Sequence, residues 1–280
     1  MFTTPLFCQK AYSGIFLSNQ DSSILAEKLS WQALSSQDKK LSASGFKLVD
    51  LEVVHEKDQE DQFYGLWQRD TTATMSFKVP GWDSLVQAKR KMAKEGYVMT
   101  DIEAYAGKDK RNHFYCVWEK KKIWHKVWKL DTWEGLVKKN KEMVQQFLYL
   151  RDIEAIQTPN EGIKFLAIFH EGDRERKQRT HVFASADLEA FNTDQWQRKT
   201  SGYHMIDFES YQEEDKTYYV GVYQKISDRK HVLRQNFSKT DFDKHAATLL
   251  ENNFRLTDIE IQNGAGRQAK SSDDTALEQN

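Results

Sequence analysis

The chain has 280 residues, with 41 basic against 42 acidic side chains and a pI near 6.7. That balance offers no global basic field to a nucleic acid, and no apolar run reaches the roughly 18 residues that would cross a bilayer. Hydrophobic residues make up 39% and Trp, Tyr and Phe 12%, so the core has to rest on a few large aromatic anchors.

The chain opens with MFTTPLFCQKAYSGIFLSNQ, which has no charged start followed by a long apolar stretch. No secretory signal is therefore expected, and a cytoplasmic protein is. Cys8 lies in this segment, and Cys116 is the only other cysteine. Two cysteines without ligand spacing predict neither a disulfide framework nor a metal site, and no cofactor is expected. Tyr12 to Phe16, YSGIF, reads as a short strand with Gly14 two residues before an aromatic.

From Trp31 onward one pattern recurs. WDSLVQAKRKMAKEGY sets Trp82, Leu85, Val86, Met92 and Ala93 on one helical stripe. WEGLVKKNKEMVQQF repeats it with Trp133, Leu136, Val137, Met143 and Val144. Asp131 or Thr132, and Asp187, are suited to cap these helices. Gly45, Gly96 and Gly202 are suited to stop them, whereas Phe147 and Asn253 hold that place in two repeats and predict different helix ends there. Next comes a strand with an Asp-x-Glu signature: FKLVDLEVV, YVMTDIEAY, LYLRDIEAI, YHMIDFESY and FRLTDIEIQ. Its aspartates are Asp50, Asp101, Asp152, Asp207 and Asp258, spaced 51, 51, 55 and 51 residues apart. The glutamates two residues on are Glu52, Glu103, Glu154, Glu209 and Glu260. A polar loop then leads to a second apolar strand, FYGLW, YCVW, FLAIF or YYVGVY, with a small residue two before its closing aromatic. MSFKV and WHKVW mark a weaker third segment.

The fifth repeat stops after its first strand, and residues 263–280 read as a polar, disordered tail. YSGIF near the N-terminus matches the missing second strand. These features predict a single α/β repeat domain over 1–262, five helix–strand–strand units in a closed, propeller-like ring. The N-terminal strand completes the fifth unit of this toroid. The units fall at about 19–69, 70–120, 121–171, 172–225, and 226–262 plus 8–18, in a monomer.

GYVMTDIEAYAGKDKRNHFYCVWEK (96–120) and SGYHMIDFESYQEEDKTYYVGVYQK (201–225) carry a family resemblance. The helix, Gly-aromatic step and paired strands are similar to the bacterial tandem repeat domain, a unit also found in the N-terminal regions of fungal polyglycine hydrolases. The resemblance implies a repeat fold with a binding or accessory role and transfers no catalytic residue. Ser-x-x-Lys at Ser36–Lys39, Ser44–Lys47 and Ser227–Lys230 has no Ser-Asp-Asn or Lys-Thr-Gly partner and reads as chance.

The ten repeated carboxylates are the candidate ligand-binding residues. Asp and Glu two apart on a strand share a face, so they either line a channel or bind the backbone of the adjacent unit. Leu48, Met99 and Tyr105 fall on that same face by alternation, which leaves its direction open. His125, His181 and His231 recur near the third segment but come from separate units, so no metal set is expected. Cys116 sits inside an apolar strand and reads as a packed thiol. The basic, aromatic stretch EKKKIWHKVWKL (119–130) reads as repeat core plus a solvated Lys120–Lys122 turn. The expected function is a non-enzymatic recognition or scaffolding module for a protein, peptide or carbohydrate. The alternative is a hydrolase using central carboxylates on a peptide or glycan, at an asymmetric site near Arg151 or the GDRERKQRTH insertion.

Overall fold

The first four repeats run strand, helix, strand, strand, and the fifth runs strand, helix, strand and takes β1 from the N-terminus; the strand before each helix is the weaker third segment of the sequence pattern. The computed structural model describes residues 10–18, 21–55, 59–106, 112–158, 162–172, 180–225 and 230–262. The N-terminal strand β1 (Ala11–Ser18) comes first. The first repeat follows with β2 (Ser23–Leu29), α1 (Trp31–Ala43), β3 (Phe46–Val54) and β4 (Gln62–Arg69). The second has β5 (Thr74–Pro80), α2 (Trp82–Lys94), β6 (Tyr97–Ala106) and β7 (Asn112–Lys120). The third has β8 (His125–Leu130), α3 (Trp133–Gln145), β9 (Leu148–Thr158) and β10 (Gly162–Glu171). The fourth has β11 (Thr180–Ser185), α4 (Leu188–Thr200), β12 (Tyr203–Glu213) and β13 (Lys216–Lys225). The fifth has β14 (His231–Phe237), α5 (Lys239–Glu251) and β15 (Phe254–Gln262). The tail at 263–280, Cys8 and most of the GDRERKQRTH insertion lie outside the described residues.

Four of the five described helices start where a side-chain oxygen satisfies a free amide, and α2 starts after Gly81 without one. Ser30, Thr132, Asp187 and Ser238 cap α1, α3, α4 and α5, and Thr132 rather than Asp131 does so for α3. The buried stripe is narrower than the sequence pattern suggested. In α2 only Leu85 and Met92 are buried and Ala93 is exposed, while α3 buries Leu136, Asn140 and Met143. At their far ends all five helices close alike. Gly45, Gly96 and Gly202 have φ of 80°, 80° and 78°, and Phe147 and Asn253 take 58° and 61°. The expected difference at Phe147 and Asn253 is thus not found. Each of the five donates its N–H to a carbonyl three residues back, and the following strand must leave at the same angle, so packing imposes the left-handed turn.

The expected closed, propeller-like ring is also corrected. The described strands form five separate three-stranded antiparallel sheets, β2-β4-β3, β5-β7-β6, β8-β10-β9, β11-β13-β12 and β14-β1-β15, and none of these is closed or curled into a ring or toroid. Each backbone ladder ends at its own edge strands. The sheets meet along their Asp-x-Glu strands, with β3 against β6 and β15, β9 against β6 and β12, and β12 against β15. In the fifth sheet β1 is the central strand, antiparallel to both β14 and β15.

Small residues in the central strands have a steric reason. A Cβ on Gly65 would stand 2.3 Å from the Trp67 ring and 2.9 Å from Leu34, and one on Gly221 would stand 2.8 Å from Tyr223. The aromatic folds back over its own strand and fills the space beneath the helix. Gly65→Ala should therefore lose about 1–3 kcal/mol to overpacking, read as a lower melting temperature.

Candidate functional site

The carboxylates owe their common placement to a feature that is not visible as a motif. In every Asp-x-Glu strand (β3, β6, β9, β12 and β15) the pairing shifts by one residue immediately before the aspartate: at Val49, Thr100, Arg151, Ile206 and Thr257. Such a bulge reverses the alternation. Leu48 and Leu51 consequently join the same hydrophobic cluster, as do Met99 and Ile102, and Leu150 and Ile153. Asp and Glu are left on the opposite side, so Leu48 and Met99 do not share the carboxylate face.

Nine of the ten carboxylates are buried and Glu103 is half-buried, and they form two groups. The five aspartates, with the five bulge residues, line one cavity of about 10 Å³. The Ile259 N–H donates to Asp50 Oδ2 at 2.7 Å, and the Ile153 N–H to Asp207 Oδ2 at 3.1 Å. The glutamates behave likewise: Val53 N–H donates to Glu103 Oε2 at 3.4 Å and Ala104 N–H to Glu154 Oε1 at 3.1 Å. The Ser210 hydroxyl donates to Glu260 Oε1 at 2.7 Å. In all five bonds the donor belongs to the residue following the equivalent carboxylate of a neighbouring repeat. Asp101, Asp152 and Asp258 each keep a buried Oδ2 with no partner.

Burial and mutual repulsion make these groups hard to ionise. Desolvation pushes Asp50 up to about 7, against the Ile259 amide and the Arg151 guanidinium, which favour the anion. Desolvation likewise lifts Asp207 to about 8 and Glu260 to about 7. Asp101 is raised well above the ordinary range by burial and then by Asp152 and Asp50, and Glu52 by burial and then by Glu103 and Glu260. Among the described residues, Arg151 is the one cationic side chain lining the aspartate cavity.

The other sequence candidates stay apart. His125 stands near Trp118 and His170, His181 bonds the Tyr203 hydroxyl at 3.1 Å, and His231 faces His204 with Nδ1 atoms 3.1 Å apart. Burial holds His125 down at about 4 and His231 at about 3. Among the described residues, no group of three or more His, Cys, Asp or Glu is arranged to hold a metal ion. The Cys116 thiol is fully buried and pushed up by that burial. Trp128 packs against a hydrophobic cluster, but Trp124 is 53% exposed at a second cavity, a cleft of about 500 Å³. Sequence reasoning placed Trp124 in a basic stretch without seeing what it faces, because Lys89 and Tyr97 on the other wall come from the preceding repeat.

Residues 87–121 and 185–226 match the family described as polyglycine hydrolase-like, structural repeat. These segments contain the two stretches, 96–120 and 201–225, that carry the resemblance to the bacterial tandem repeat domain. No curated protein matches the chain. No helix among the described residues is long and apolar enough to cross a membrane.

Proposed function

We propose, with the polyglycine hydrolase-like structural repeat as premise, that the chain is a non-enzymatic recognition or scaffolding module for a protein, peptide or carbohydrate. In this reading the Asp-x-Glu carboxylates bind repeat to repeat, and recognition belongs to the outer surface. The observation that carries it is the recurrent bond donated to a carboxylate by the amide or hydroxyl following its counterpart in a neighbouring repeat. Size supports it too. A cavity of about 10 Å³ has room for about one water, so neither a peptide nor a glycan reaches the aspartates. At the aspartates the hydrolase alternative lacks substrate space for the same reason.

Two substitutions test this at pH 5, where relief of charge contributes least. Asp50→Ala strands the buried Ile259 amide and should cost about 1–3 kcal/mol. Asp101→Asn keeps the volume and an acceptor and should melt within a few degrees of the natural protein. If Asp50→Ala leaves the melting temperature untouched, the carboxylates do not hold the repeats together and the reading fails.

A further inference from the structure

We infer that the cleft between the second and third repeats is a docking site for a short acidic peptide segment of a protein partner. The inference rests on the recognition reading above and gives it a place and a chemistry. One wall is the end of α2 with the start of β6, contributing Lys89, Arg90 and Tyr97. The other is the link into β8, contributing Lys121, Lys122 and Trp124. At about 500 Å³ the cleft has the size of a ligand pocket, well above what a packing defect leaves.

Its charge is one-sided. Lys89 is half-buried, and burial followed by the neighbouring Lys126 and Arg90 makes its ammonium easier to deprotonate than usual. Among the described residues no carboxylate pairs with Lys89, Arg90, Lys121 or Lys122. The acid in the cleft, Glu171, is tied to the wall itself: its Oε2 accepts the Trp124 N–H at 3.1 Å. The Glu171 N–H in turn donates to the Trp124 carbonyl at 2.7 Å. That reciprocal pair holds the Trp124 backbone while leaving the indole exposed, with the Lys126 ammonium 4.7 Å from its ring centroid. An apolar face fixed beside unpaired cations fits a segment carrying both carboxylates and an apolar side chain. A long polyanion fits less well, because beyond the cleft it meets a surface from a chain with 42 acidic residues and a net charge of −1.

The test uses the full chain and a fluorescein-labelled peptide of alternating Glu and Leu, followed by fluorescence anisotropy. Saturable binding is expected, lost as salt is raised, with at least about tenfold weaker affinity for the Gln/Leu peptide. Lys121→Glu with Lys122→Glu, and separately Trp124→Ala, should each weaken binding about tenfold or more at an unchanged melting temperature. No saturation up to about 1 mM, equal binding of the Gln/Leu peptide, unaffected variants, or tighter binding of an oligothymidylate would each overturn the proposal. Such a failure beside the expected Asp50→Ala loss removes the cleft alone, whereas an unaffected Asp50→Ala protein removes the scaffold reading.

Discussion

Raising the pH from 5 to 9 should lower the melting temperature by roughly 10 °C or more, taking about 1 kcal/mol as 2–4 °C in a chain of this size. The direction is opposite to that of a protein stabilised by salt-bridged carboxylates. Each of the ten carboxyls has a folded pKa above its ordinary value: Asp50 and Glu260 at about 7, Asp207 at about 8, and the other seven well raised. From about pH 4 up to those values the folded chain holds more protons than the unfolded one. Their stabilisation is complete below about pH 4 and lost as pH rises through the folded values. One pK unit per group is about 1.4 kcal/mol, so even a fraction of the full set reaches several kcal/mol. Buried His125, His170 and His231, held at about 4, 3 and 3, act the other way. Their contribution is lost as pH falls below about 6.5, so three groups oppose ten and the carboxyls dominate above pH 5. Arg151 favours ionisation of Asp50 and Asp207, and Arg151→Leu should deepen the alkaline loss. Thermal melts across the range decide it; a flat or rising profile contradicts the assignment.

The five Asp-x-Glu strands, the helix starts and the second strands were legible because each is a local pattern repeated at a fixed spacing. The bulge was not. Val49, Thr100, Arg151, Ile206 and Thr257 share no side-chain chemistry, and a bulge depends on how many partner residues stand opposite, which one strand cannot show. Strict alternation therefore put Leu48 and Asp50 on one face and left the direction of the carboxylates undecided. Closure of the ladders is not legible in the sequence for a related reason. The match of Tyr12–Phe16 to the second strands identifies a pairing partner, but it says nothing about whether one sheet's ladder continues into the next. The Phe147 helix end shows the limit of residue preference, because the outgoing strand sets φ there whatever the side chain. The cleft draws Lys89 and Trp124 from two repeats, and only packing brings them together.

Deleting residues 1–18 should abolish the stable monomer, since β1 is the middle of its sheet. Ile15, Phe16 and Tyr12 are buried, and both aromatic rings lie about 6 Å from Phe242 of α5. Burial of three such side chains is worth about 1.5–3 kcal/mol each, which rivals the ~5–15 kcal/mol total stability of a typical protein. The deletion also strips β14 and β15 of their shared partner, leaving two unpaired edges that invite association. Aggregation or higher oligomers in size-exclusion chromatography, with a lost or sharply lowered melting transition, is the expected result. A permuted chain separates loss of the strand from loss of the N-terminus. Ala11 pairs with Gln262 at one end of the β1–β15 ladder, so a two-residue Asn-Gly turn after Gln262 can lead directly into residues 11–18. That chain keeps every strand of the fifth sheet and should melt within a few degrees of the natural one. A truncated chain that stays monomeric and melts like the natural protein would show that β1 is dispensable, and the fifth sheet would then hold without its central strand.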